Sequence, residues 1–245
     1  MTKFNVFLSF ILLFLIMNCT TLVNAEVSVE RFGGVNRYDT AIKIARAGWT
    51  ESQNVILTFG GDYPDSLSAV PLAKKYNAPI LITQKYTLSS DVTQCLKDLK
   101  VSNVIIVGGT GVVSTSIETT LKNMGISVDR IAGKDRYATS LEVAKRLVDD
   151  YTISDKDVYV VLGDNFPDAL SIASVAAEKQ RPILLISKNN IPPTVLSFIK
   201  DQCVKPNIYI IGGVGVISES AFNILKTTNY NTITRISGRN RYETN

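Results

Sequence analysis

Three arginine-tyrosine pairs are the residues here best suited to chemistry. Arg31-Phe-Gly-Gly-Val-Asn-Arg37-Tyr38-Asp-Thr40 recurs as Arg130-Ile-Ala-Gly-Lys-Asp-Arg136-Tyr137-Ala-Thr139 and again as Arg235-Ile-Ser-Gly-Arg-Asn-Arg241-Tyr242-Glu-Thr244. A guanidinium is a planar fork of donors suited to carboxylate or phosphate. Arg37, Arg136 and Arg241 fall in what reads as a first helical turn, where the helix dipole disfavours a cation. An anion is therefore expected beside them. Two sources fit: an internal carboxylate, with Asp65 or Asp168 as the obvious partner, or an anionic polymer bound from outside. Tyr38, Tyr137 and Tyr242 suit either stacking on a sugar ring or amphipathic packing. The candidate polymer-binding set is Arg31, Arg37, Tyr38, Arg130, Arg136, Tyr137, Arg235 and Arg241.

Catalysis finds little support. The chain has no histidine, so neither a Ser-His-Asp triad nor a His-bearing zinc site can form. Pro64-Asp65-Ser-Leu and Pro167-Asp168-Ala-Leu each place one carboxylate at a helix start, whereas glycosidase chemistry needs two. Asp62 lies close by in the first copy, but Asn165 replaces it in the second. The glycine block Gly108-Gly109-Thr-Gly111-Val-Val-Ser114 has the look of a dinucleotide fingerprint, with Asp129 about 20 residues on. It follows the third strong strand rather than the first, Ser114 stands where the third glycine belongs, and Thr234 replaces Asp129 in the second copy. A tight turn with close helix–strand packing fits better, at Gly108, Gly109, Gly212 and Gly213 alike. No catalytic residue, cofactor or metal is expected.

These residues sit in a framework that also repeats. Short apolar runs at 55–59, 80–83 and 104–107 return at 158–162, 183–186 and 208–211, bounded by Gly or by Pro79 and Pro182. Continuous apolar runs suit strands covered on both faces, as in a parallel sheet. Helical stretches lie between them, near 37–46, 64–76, 89–99 and 114–124, and a further short strand near 127–131 closes the unit. Asn36, Asp135 and Asn240 stand at N-cap positions, Ser114 and Ser218 are expected to cap the last helix of each unit, and Pro64 and Pro167 fit a first turn. The fold class is α/β, with tandem modules of about 100 residues, each a small, mainly parallel sheet flanked by helices.

The first residues stand outside this framework. A basic start, an apolar run at 6–17 and Val23-Asn24-Ala25 read as a secretory signal peptide over 1–25. A lipid anchor at Cys19 is the alternative reading. Cys95 and Cys203 take apolar positions of their repeats, as buried hydrophobes; a bridge between them stays open. A net charge of +4 leans towards an anionic partner only weakly, and no nucleic acid is expected.

Together these blocks resemble the cell wall binding repeat 2 family of Gram-positive surface proteins. The resemblance rests on the arginine-tyrosine block, on Asp62-Tyr-Pro-Asp65 and Asn165-Phe-Pro-Asp168, on Pro79-Ile-Leu-Ile82 and Pro182-Ile-Leu-Leu185, and on the turns at Gly108 and Gly212. It implies Rossmann-like modules that usually come in threes. It also implies S-layer-type, non-covalent anchoring of an exported protein to an anionic wall polysaccharide or teichoic-acid-like polymer. The expected layout is a first repeat over 26–129, a second over 130–234 and the start of a third over 235–245. Once the signal is cleaved, no stable membrane insertion is expected, and the protein belongs at the cell wall. An uncovered third-module surface predicts weak anchoring and self-association. The alternative is an accessory part of an amidase-type wall hydrolase.

Overall fold

The computed structural model describes residues 29–148, 157–201, 203 and 205–245. The readings of a signal peptide and of a Cys19 anchor lie outside the described residues. Met1–Arg31 forms a unit apart from Phe32–Asn245, and its described residues, 29–31, carry no regular structure.

Phe32–Asn245 contains two parallel four-stranded sheets. The first runs α1 (Arg37–Gly48), β1 (Asn54–Phe59), α2 (Pro64–Lys75), β2 (Ile80–Thr83), α3 (Ser90–Asp98), β3 (Asn103–Val107), α4 (Thr115–Asn123) and β4 (Ser127–Ile131). The second repeats it as α5 (Arg136–Val148), β5 (Asp157–Leu162), α6 (Pro167–Glu178), β6 (Ile183–Ile186), α7 (Pro193–Asp201), β7 (Asn207–Ile211), α8 (Glu219–Leu225) and β8 (Thr232–Ile236), followed by the single turn α9 (Arg241–Thr244). Strand orders are β2-β1-β3-β4 and β6-β5-β7-β8. Ile56 pairs with both Ile80 and Ile105, and Val160 with both Leu184 and Ile210. The apolar runs thus become central strands, and their lack of polar alternation follows from helices on both faces.

Two cores flank each sheet. On one face of the first, Val55, Leu57, Leu81 and Ile106 pack with Ile42 of α1, Cys95 of α3 and Ile117 of α4. On the other, Ile56, Ile105 and Val107 pack with Leu72 of α2 and with Val143 and Leu147 of α5. Helix α5 is shared. Its Leu141 and Ala144 enter the second sheet's core with Phe198 and Ile208. Cys95 and Cys203 are buried in the cores of different sheets.

The repeat also shows what is uncovered. Val143 is 2% exposed, but Ile44, its counterpart on α1, is 50% exposed. Leu72 is 0% exposed, but Val175, its counterpart on α6, is 43% exposed. Helix α5 covers α2, whereas α9 meets α6 for only one turn. We expect Leu72→Ala to cost about 2–5 kcal/mol, as a buried leucine losing its side chain does. Val175→Ala should cost under about 0.5 kcal/mol. Urea unfolding of the two variants measures the difference, and similar losses would refute the shared-helix packing.

Helix starts follow the expected chemistry with one exception. Asn36 accepts from the Asp39 N–H at 3.0 Å, and Asp135 from the Ala138 N–H at 2.8 Å. Ser218 accepts from the Ala221 N–H at 3.4 Å, but Ser114 makes no cap bond; both hydroxyls also meet a serine two residues on, Ser220 and Ser116. Asp39 and Glu243 reach one residue past a capping box, accepting from the N–H groups of Val35 and Arg239.

Candidate functional site

The arginine-tyrosine block is the crossover from one sheet to the next. Arg130 lies on β4, opposite Ile106, while Arg136 opens α5. The tight link between them needs its glycine. The Gly133 N–H donates to Thr139 Oγ1 at 3.1 Å, as Gly34 does to Thr40 and Gly238 to Thr244, both at 3.0 Å.

Of the block arginines, Arg37, Arg130, Arg136 and Arg235 donate to chain carbonyls. Arg130 donates to Gly108 O at 2.5 Å and to Glu118 Oε1 at 2.6 Å, with 16% of its side chain exposed. Arg235 donates to Gly212 O and Ile217 O, both at 2.9 Å, and to Glu219 Oε1 at 3.2 Å. Arg37 Nη1 donates to Gly60 O and Arg136 Nη1 to Gly163 O, each at 2.7 Å. The anion expected beside the first-turn arginine is present at Arg136. Its Nη2 is 3.3 Å from Asp62 Oδ2, a carboxylate of the preceding module. The direct partner is Asp62 rather than Asp65. Arg241 lies near enough to Asp168 to oppose its neutralisation. Arg31 is exposed in the separate N-terminal unit.

The tyrosines pack on glycine. A Cβ at Gly60 would stand 2.5 Å from the Tyr38 ring, and one at Gly163 would stand 2.7 Å from that of Tyr137. Tyr137 also donates to Asp164 Oδ1 at 2.9 Å, and burial together with that bond pushes its phenol up to about 12. Tyr242 is 85% exposed.

Asp65 and Asp168 occupy matching positions under the glycine turns. Gly108 and Gly212 have φ of +128° and +117°, a region that favours glycine. A Cβ there would stand 2.7 Å from Oδ2 of Asp65 or Asp168. Neither carboxylate accepts a hydrogen bond from a described residue. Burial, and then the charge of Asp62, raises the Asp65 pKa to about 6 against the opposing pull of Arg136. Burial likewise raises that of Asp168.

A crevice of about 390 Å3 opens beside Asp65, beyond the carboxyl ends of β1 and β3. The strand order reverses there, which in open parallel sheets is where ligands bind. Asp62, Asp65, Thr110, Lys134 and Arg136 line it, together with Gly109 and Gly111. Spacing alone singled out Asp65, Gly109 and Arg136. Lys134 and Thr110 carried no signal, because Arg239 and Val214 replace them in the other copies. Asp62 was visible but differed between the repeats.

A family model for cell wall binding domain 2 matches residues 31–118 and 130–222. The chain belongs to the cell wall binding domain 2 family. It is 38% identical over 219 residues to the N-acetylmuramoyl-L-alanine amidase LytC of Bacillus subtilis, covering 89% of this chain and 42% of that protein. It is 38% identical over 214 residues to the amidase enhancer of the same organism, covering 87% and 28%. Cwp6 from Clostridium difficile superposes with a TM-score of 0.80 at 33% identity, covering 93% of this chain and 37% of that one. The chain thus spans less than half the length of these relatives. Among the described residues no His/Cys/Asp/Glu cluster could hold a metal ion, and no helix is long and apolar enough to cross a membrane.

Proposed function

We propose that the protein is exported and held non-covalently at the cell wall through an anionic wall polymer. It acts as a binding unit rather than an enzyme. The family match over both modules carries this reading. The open crevice beside Arg136 and Lys134 supports it. Arg37, Arg136 and Arg241, at the starts of the motif helices, and Arg31, exposed before the first, meet the polymer in this reading. Arg130 and Arg235 brace the turns from inside, and Tyr38 and Tyr137 hold the edge in shape.

Binding between exposed cations and an acidic polymer is screened by salt, since the Debye length falls from about 8 Å at 0.15 M to about 3 Å at 1 M. Sedimentation of the protein with purified Gram-positive walls should therefore drop several-fold over that range. It should fall to background on walls stripped of acidic polymer. Unchanged retention on stripped walls would refute the ligand class.

The second reading, an accessory part of a wall amidase, is favoured by the names of the two Bacillus relatives. Mixing the protein with an amidase and walls separates the two readings, because only an accessory part speeds hydrolysis. The uncovered Ile44 and Val175 also support self-association. Analytical ultracentrifugation should show mass rising with concentration, and a concentration-independent monomer would refute it.

A further inference from the structure

The Asp65 carboxylate, in the first turn of α2, accepts no hydrogen bond from a described residue. It is desolvated, and the nearby Arg136 is already held by Asp62 and Gly163 O. The same arrangement recurs at Asp168 beneath Gly212. A carboxylate against a positive-φ glycine, twice over, is an acceptor held ready for a ligand's donors.

The rest of the crevice is made of donors. The amides of Gly109, Thr110 and Gly111 donate to no described residue, and the last two residues are exposed. Lys134 lines the crevice as a cationic donor, and Arg136, engaged by Asp62 and Gly163 O, adds its charge. A ligand that satisfies this set needs hydroxyl groups for Asp65 and an anionic group for the amides and cations. Bare phosphate chains offer Asp65 no donor and meet the charges of Asp62 and Asp65 besides. A neutral sugar offers no charge to the Lys134 ammonium.

We propose that this crevice binds one acidic, hydroxyl-bearing sugar unit and that Asp65 is the residue that selects it, by accepting from the sugar hydroxyls. The inference rests on the polymer-binding reading and gives it a site and a sugar class. The volume lies at the low end of the small-molecule range, suiting one unit of a chain rather than a long segment. In the second module Asn165 and Val214 replace Asp62 and Thr110, leaving a less polar surround to Asp168.

The test titrates the whole chain with an oligogalacturonate and, separately, with a linear polyphosphate of similar charge, read by calorimetry and amide NMR. The oligogalacturonate should shift the Gly109, Thr110 and Gly111 amides. Asp65→Asn should weaken it about tenfold, while polyphosphate binding does not fall. Oligogalacturonate affinity unchanged in Asp65→Asn, shifts confined to other residues, or no binding at millimolar concentration would each overturn the proposal. A melting curve of Asp65→Asn at or above that of the parent shows that the loss is not unfolding. Sedimentation with purified walls runs alongside. Walls held by the parent and by Asp65→Asn alike would overturn this site and leave the function standing. Walls not held by the parent would overturn the function itself.

Discussion

Gly133→Ala is expected to destabilise the chain by more than about 3 kcal/mol, although it adds a single methyl group. That methyl would stand 2.4 Å from Ala138 C and Cβ and 2.6 Å from Thr139 N. These are mostly backbone atoms of the following helix, and they cannot rotate away as a side-chain tip would. Relief requires the crossover to move, which breaks the Gly133–Thr139 bond and shifts the start of α5. Helix α5 then carries the damage into both modules, through Val143 and Leu147 on one side and Leu141 and Ala144 on the other. For a domain of this size the loss corresponds to a fall of roughly 6–12 °C in Tm. Gly48→Ala is the control. Gly48 ends α1 with nothing within 4 Å of an added Cβ, so alanine should be neutral or stabilise by up to about 1 kcal/mol. Calorimetry of the two variants decides, and a Tm for Gly133→Ala within about 1 °C of the parent would refute the crossover argument.

The sequence reveals this crossover only in part. The repeated Gly34, Gly133 and Gly238 mark a backbone constraint, and the strands and helices follow from apolar runs and caps, to within a residue or two of those observed. Such signals are local, since period and capping act within one element. What is not legible is which module each side chain serves. Arg136 pairs with Asp62 across 74 positions of sequence, at a junction that leaves no periodic trace. The difference between Asp62 and Asn165 argued against Asp62 as a catalytic residue and gave no hint of a junction role. The double duty of α5 is equally hidden, because Val143 and its exposed counterpart Ile44 are interchangeable aliphatic residues by type. Only packing separates them. The crevice is the least legible feature, being assembled from three loops that are neighbours solely because the parallel strands end together.

Asp65→Asn is expected to raise Tm by about 5–10 °C at pH 7 and to leave it nearly unchanged at pH 4. Burial, and then Asp62, raises the folded pKa of Asp65 from 3.8 to about 6, with Arg136 pulling the other way. Lys134 and Asp135 also line the crevice. A carboxyl that binds its proton more tightly in the folded state favours folding while protonated. The penalty is therefore absent below about pH 4, grows as pH rises towards 6 and is complete at 7. Two units of pKa correspond to roughly 2–3 kcal/mol. Asparagine has nearly the same shape and no charge, so it removes the penalty at pH 7 and has nothing to remove at pH 4. Thermal unfolding at the two pH values supplies the test. An equal gain at both, or a loss at pH 7, would show that the carboxylate is not the strained group described here. The same substitution is expected to weaken binding of an acidic sugar. A variant that is both more stable and a poorer binder would identify Asp65 as a group retained for its ligand at the expense of the fold.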